Sequence, residues 1–325
     1  MNLELKITQK EIKIAVALSF FSVLVFLAVR SALLFEDQYE KDILLSQEKS
    51  IEIGQTKDNF LDKLSLSSKA YFVWDLKTGE KIGGLNEEMQ FPLASLTKLM
   101  TILVAAELSL DGSEIAINAS DLEIEGDNGL IEGEKWKISD LIDFMLLTSS
   151  NDGAHAVASV IGAFNDDSNN KDEREIFIEA MNKKVEKLGM SQSFFLNETG
   201  LDISETVSGG YGSAKDVAIL IENILREYPN LLDISSYKQA EVSSNLLTHQ
   251  VINTNPSVEN LPSVIVSKTG YTDLAGGNLV VVFDVGIDHK IVVSVLGSTK
   301  EERFSDVEKL VWATLEKIFN DNQKL

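Results

Sequence analysis

The chain has 325 residues, 44% of them hydrophobic and 25% charged, with a formal net charge of −22 and no cysteine. So acidic a chain argues against a nucleic-acid partner, which needs basic side chains facing phosphate, and reads as a soluble, self-repelling surface. The lack of cysteine excludes a thiol nucleophile, disulfides and thiolate metal sites.

The first recognisable stretch is IAVALSFFSVLVFLAV at residues 14–29, free of charge and extended past Arg30 by SALLF to Phe35. Its length suffices for one helix across a bilayer. Lys6, Lys10 and Lys13 precede it, and Glu36, Asp37 and Glu40 follow. Positive charge on the leading flank predicts a cytoplasmic N-terminus and an extracytoplasmic remainder. A cleaved signal peptide is the rival reading. No A-x-A site stands out, and Arg30 sits where cleavage would be wanted, so a retained anchor is expected. Three segments follow: residues 1–35 as cytoplasmic N-terminus and transmembrane signal anchor, an acidic juxtamembrane spacer at 36–68, and one folded domain at 69–325.

KAYFVWD at 69–75 reads as a strand, with a turn at Lys77-Thr78-Gly79 and a return along EKIGGLN. SLTKLMTILVAAELSL, residues 95–110, is apolar on nearly every face and predicts a central buried helix opened by Ser95. Two helical runs fill 137–164, parted near Ser149–Asn151. NDDSNNKDE, at 165–173, reads as a solvated loop. An amphipathic helix over 174–188 stops at Gly189, and Ser213 with Asp216 resembles a capping box for a helix ending before Pro229. SVIVS (263–267), NLVVVFDVG (278–286) and KIVVSVLGS (290–298) are β-branched and strand-like, the last two joined by a turn at Gly286–Asp288. A helix at 301–320 closes the series. The fold class is therefore α/β of the α+β type: one antiparallel sheet built from both ends of the domain and flanked by helices.

S-x-x-K sets a hydroxyl and an amine one helical turn apart, and a neutral amine can take a serine proton without histidine. Four matches occur, at Ser46, Ser95, Ser168 and Ser235, close to what composition alone yields. Only Ser95 opens a buried helix, where its own N–H and the helix dipole can hold an oxyanion. In isolation Ser95 reads as a plain N-cap. Lys98 falls among Leu96, Leu99, Met100 and Ile102, where burial lowers a lysine's pKa and a second cation, such as Lys268, lowers it further. S-x-N occurs at Ser149, Ser168 and Ser243, and K-T-G at 77–79 and 268–270. The first K-T-G is explained by its hairpin. The second follows directly on a buried strand, at an edge, where a cation, a hydroxyl and an uncluttered backbone share a groove. His155, His249 and His289 show neither an aspartate partner nor zinc spacing, so neither a Ser-His-Asp triad nor a metal site is expected. Arg303 reads as a surface residue at the start of the last helix, with reach toward a substrate carboxylate as the lesser reading.

The ordered triple S-x-x-K, S-x-N, K-T-G is shared with penicillin-binding proteins and class A β-lactamases. ASLTKLMT, LLTSSNDGAHA and SKTGYTDLAGG resemble the low-molecular-weight D-alanyl-D-alanine carboxypeptidases, penicillin-binding serine peptidases; so do NETGLD (197–202), YGSAKDVA (211–218), NTN (253–255) and LGSTKEERFSDVEKL (296–310). The likeness runs from about 69 to 315. It implies a β-lactamase/transpeptidase-like fold and a hydrolase that removes the terminal D-alanine of peptidoglycan stem peptides through an acyl-enzyme. By the same resemblance Ser95 is the nucleophile and Lys98 its base. Ser149 relays the proton, and Asn151 holds the substrate amide. Lys268 and Thr269 bind the carboxylate, and Gly270 lets substrate lie along the strand. The N–H groups of Ser95 and Tyr271 form the oxyanion hole. No cofactor or metal is implied. β-Lactams would acylate Ser95, and the catalytic domain would sit outside the cell membrane on its single-pass anchor.

Many family members carry a further C-terminal β domain and an amphipathic anchor, and the N-terminal anchor is expected to replace them. That departure also resembles the endopeptidase branch, which cuts cross-links, whereas SSND resembles the carboxypeptidase branch. A penicillin or wall sensor without turnover is a third reading. A dedicated class A β-lactamase would need E-x-x-x-N soon after S-x-N, and Glu241–Asn245 comes too late.

Overall fold

A computed structural model describes residues 60–110, 112–126, 129–164 and 172–322. The expected anchor and most of the spacer lie outside the described residues, as do Ser46, Ser168 and most of the solvated loop. None of the helices among the described residues is long and apolar enough to cross a membrane. The folded unit begins at Phe60, inside the stretch read as spacer, because Leu61 is fully buried in a core cluster with Val307, Leu310 and Val311.

In chain order the strands are β1 (Ala70–Asp75), β2 (Lys81–Leu85), β3 (Phe91–Pro92), β4 (Glu114–Ala116), β5 (Lys135–Lys137), β6 (Phe194–Phe195), β7 (Gly210–Gly212), β8 (Gln239–Ser243), β9 (Thr248–Ile252), β10 (Val264–Thr272), β11 (Gly276–Asp284) and β12 (Lys290–Ser298). The helices are α1 (Thr97–Leu108), α2 (Ile138–Thr148), α3 (Asn151–Phe164), α4 (Glu173–Leu188), α5 (Ala214–Glu227) and α6 (Glu302–Asn322).

One five-stranded antiparallel sheet runs β10-β11-β12-β1-β2, so strands from both ends of the folded unit meet where β12 pairs with β1. Its central strands are apolar on both faces. Val280, Val282, Val292, Leu296, Ala70 and Phe72 point into one core with α1, α2, α3 and α5; Leu279, Val281, Phe283, Ile291, Val293, Val295, Tyr71 and Val73 point into the other, against α6. A period of two with both faces covered accounts for the unbroken β-branched runs. Each such side chain, taken from water, contributes about 1.5–3 kcal/mol.

The expected hairpin forms between β1 and β2, with Gly79 at φ +72°. α1 is buried from Thr97 through Ala105, as its apolar faces predict. α4 ends at Gly189. Only half of the expected capping box forms: Ser213 accepts the Asp216 N–H, while the Asp216 carboxylate turns instead to Gln192 N and Ser193 Oγ. Three small sheets, β3-β7-β6, β4-β5 and β8-β9, were not anticipated; strands of two to five residues are too short to show a pattern.

The second K-T-G lies inside β10 rather than beyond its end. The strand continues past Ser267, pairing Lys268 with Val280, Thr269 with Leu279 and Gly270 with Asn278. Its position at the sheet edge is as expected.

Candidate active site

Ser95 belongs to a 3-10 turn, Ala94–Leu96, ahead of α1, and its side chain caps nothing. The plain N-cap reading of Ser95 in isolation is thus overturned. The hydroxyl is half-buried and turned to Lys98 Nζ, 3.1 Å away. Ala94 just before it has φ +48°, a left-handed conformation that costs about 1–2 kcal/mol in an L-residue. Strain of this kind persists only where its surroundings enforce it. Here Gly200 packs on Ala94 itself, where a Cβ would fall 1.9 Å from Ala94 O, and β10 and β11 hold the residues on either side. Asn278 Nδ2 donates to Pro92 O at 2.9 Å, and a Cβ on Gly270 would lie 2.9 Å from Leu93 O and 3.2 Å from Ser95 N. Gly270 is therefore small enough for the edge strand to pack closely on the serine turn.

Lys98 is fully buried, and its amine has three neighbours: Ser95 Oγ, Asn151 Oδ1 at 2.6 Å and Thr199 O at 2.8 Å. Two of these can only accept. A neutral amine owns two N–H bonds and one lone pair, so donation to Asn151 and Thr199 leaves the lone pair for the Ser95 O–H. Burial pushes the Lys98 pKa down to about 7, with Glu198 and then Asp152 pulling it partly back up. The neutral form is therefore well populated near neutral pH.

Ser149 caps the end of α2 at φ +62°, which swings its hydroxyl to Lys268 Nζ at 2.8 Å. Asn151 opens α3, and its Nδ2 is anchored on Glu125 O at 2.7 Å. Lys268, 1% exposed, also donates to Thr269 O at 2.9 Å. Burial, then Lys98, then Arg303 hold its pKa well below the lysine range. Thr269 Oγ1 sits 2.6 Å from Thr254 Oγ1, so the middle residue of NTN buttresses the strand. Tyr271 is 41% exposed, and Lys300 lies over its ring at 4.9 Å. The structure thus brings Ser95, Lys98, Ser149, Asn151, Lys268 and Gly270 into one cleft, with Thr269 and Tyr271 flanking Gly270 along β10.

The sequence misread Arg303. It is 7% exposed and donates through Nη1 to Gly270 O at 2.6 Å, bringing a guanidinium to the K-T-G strand. The histidines do have carboxylate partners, all distant in sequence: His155 with Glu198, His249 with Glu134 and His289 with Asp75. Of the other S-x-x-K serines, Ser235 is fully buried and structural, donating to Leu232 O and accepting from Ser267 N.

A sequence model described as D-alanyl-D-alanine carboxypeptidase matches residues 56–299. The D-alanyl-D-alanine carboxypeptidase DacF of Bacillus subtilis is 28% identical over 257 residues, covering 77% of this chain and 62% of that protein. This chain thus spans less than two thirds of that relative's length. A D-alanyl-D-alanine endopeptidase of Pseudomonas aeruginosa is 27% identical over 252 residues, 75% of this chain and 76% of that protein. Penicillin-binding protein D2 of Listeria monocytogenes, solved in its ampicillin-bound form, superposes with a TM-score of 0.64 at 26% identity, covering 76% of this chain and 97% of that one.

Proposed function

Because the chain belongs to the D-alanyl-D-alanine carboxypeptidase family, we propose that it is a serine-type carboxypeptidase that releases D-alanine from peptidoglycan stem peptides. The observation that carries this reading is the coordination of Lys98 Nζ, two acceptors and one hydroxyl, which suits a neutral amine aimed at Ser95.

The Ser95 oxygen attacks the carbonyl of the penultimate D-alanine while Lys98 takes its proton. Negative charge on the carbonyl oxygen is met by the N–H groups of Ser95 and Tyr271. The C–N bond breaks as a proton passes through Ser149 to the leaving amine, and D-alanine departs. Water, deprotonated in its turn by Lys98, then cleaves the ester and restores the serine. Asn151 orients the substrate amide. Lys268 and Thr269 receive the terminal carboxylate, and the buried Arg303 guanidinium beside Gly270 adds charge of the matching sign. The Arg303 guanidinium suits a carboxylate next to the scissile amide, as a terminal D-alanine presents. An incoming carboxylate also draws a proton back onto Lys268.

β-Lactams would acylate the same serine, as the ampicillin-bound relative suggests. The apolar run at 14–35 with its basic flank supports a single-pass anchor that leaves the catalytic unit outside the cell membrane. The likeness to a named endopeptidase favours cross-link cleavage as the second reading.

The test is to incubate the full-length protein in detergent with a mixture of linear and cross-linked muropeptides and weigh the products. Free D-alanine, lost in Ser95→Ala, supports the proposal. Loss of dimers without D-alanine release shifts it to the endopeptidase. Penicillin labelling without either product leaves a sensor and overturns both.

A further inference from the structure

The two oxygens that hold the Lys98 amine come from different elements: Asn151 Oδ1 from α3, and Thr199 O from the irregular segment before β7. A second layer ties those elements together. One helical turn beyond Asn151, His155 Nδ1 lies 3.0 Å from Glu198 Oε1. Glu198 is completely buried, and Arg174 on α4 grips both of its carboxylate oxygens at 3.0 Å. The backbone carbonyl of Glu198 accepts from Thr101 Oγ1 at 2.6 Å, and Thr101 lies one turn along α1 from Lys98. Burying a carboxylate costs several kcal/mol unless it is fully paired. None of the catalytic steps above uses Glu198, Arg174 or His155.

We propose that Glu198, clamped by Arg174 and His155, is a positioning residue for Lys98: it fixes the two oxygens that hold the amine and places a carboxylate behind it. This rests on Lys98 being the base. The remaining charged groups around the amine are Asp152 on α3, Lys268 on β10, and Arg303 beyond Lys268. Asp121 stands 3.9 Å from the far side of the His155 ring. Among them Glu198 exerts the largest opposing pull against the effect of burial on Lys98. Removing its charge lowers the proton affinity of Lys98 further. Removing Arg174, which offsets that charge, raises it.

The test is the pH profile of acylation by a fluorescent penicillin, measured on the full-length protein in detergent, with a carbon-13 NMR titration of the Lys98 Cε as a second readout. Acylation needs neutral Lys98, so the acid limb reports its pKa. Glu198→Gln should move the limb, and the Lys98 titration, about one unit lower; Arg174→Met should move both higher, and Arg174→Lys should restore them. A folded Glu198→Gln protein with the wild-type limb and titration overturns the proposal, as does a shift of the same sign in both variants. If Glu198→Gln does not fold, Arg174→Met decides: only an upward shift supports the proposal. Failure of the base reading itself looks different. The acid limb of acylation would then not follow the Lys98 titration, while that titration still reports on Glu198.

Discussion

Lys-Thr-Gly stands at 77–79 and again at 268–270, and the two copies live in opposite surroundings. Lys77 and Thr78 project into solvent, and no atom lies within 4 Å of where a Cβ on Gly79 would be. Lys268 and Thr269 are 1% and 4% exposed, and Gly270 has the serine turn against its α-carbon. The first copy turns a hairpin, and its glycine is there for a positive φ. The second lies in the edge strand of the five-stranded sheet, against the turn that precedes α1, and its glycine is there for close approach. Burial distinguishes them: it lowers the lysine's proton affinity and gives its hydrogen bonds weight that water would remove from Lys77.

Substitutions made in pairs can break that comparison. Lys268→Ala should slow penicillin acylation about 10²–10³-fold, while Lys77→Ala leaves it unchanged and alters stability by less than about 0.5 kcal/mol. Stopped-flow labelling and thermal melts read both. Next is Gly270→Ala, whose new methyl must displace backbone at Leu93 or Ser95; about tenfold to 10²-fold of the acylation rate should be lost. Gly79→Ala should instead lower stability by about 1 kcal/mol through its left-handed φ and leave acylation intact. The smallest pair concerns the threonines. Thr254→Val removes the hydroxyl that meets Thr269 and should reduce acylation about fivefold, the worth of one buried hydrogen bond. Thr78→Val removes an exposed contact to Glu80 N and should change neither rate nor melting point measurably. Equal effects within any pair would mean that burial does not distinguish the copies.

Much of this was legible in the sequence where local pattern and function coincide. A helix apolar on every face marked Ser95 among four S-x-x-K serines, and the β-branched run before Ser267 marked the second K-T-G. What stayed hidden depends on contacts between distant segments. Arg303 reads as an ordinary opening residue of an amphipathic helix; only the packing of α6 against β11 and β12 shows that its guanidinium reaches Gly270 O. The carboxylate partners of His155, His249 and His289 lie 43, 115 and 214 residues away, beyond any spacing rule. Ser95 has the residue type of a cap and is not one: it sits in a 3-10 turn against which Gly270 of β10 packs, close to Leu93 O, Ser95 N and Leu96 N. The β8-β9 and β4-β5 pairs are held by neighbours more than by their own sequences. One such neighbour is the buried Glu134, which receives Ser244 Oγ and faces His249 Nε2.

The most direct measurement on the central claim is the rate and site of penicillin acylation as a function of pH, followed by intact-protein mass and peptide mapping. If a neutral Lys98 takes the proton of Ser95, a single adduct should form on the peptide that carries Ser95, and its rate should fall about tenfold per unit as pH drops below about 7. An adduct on any other residue, or a rate that stays level down to ~pH 5, would contradict the account.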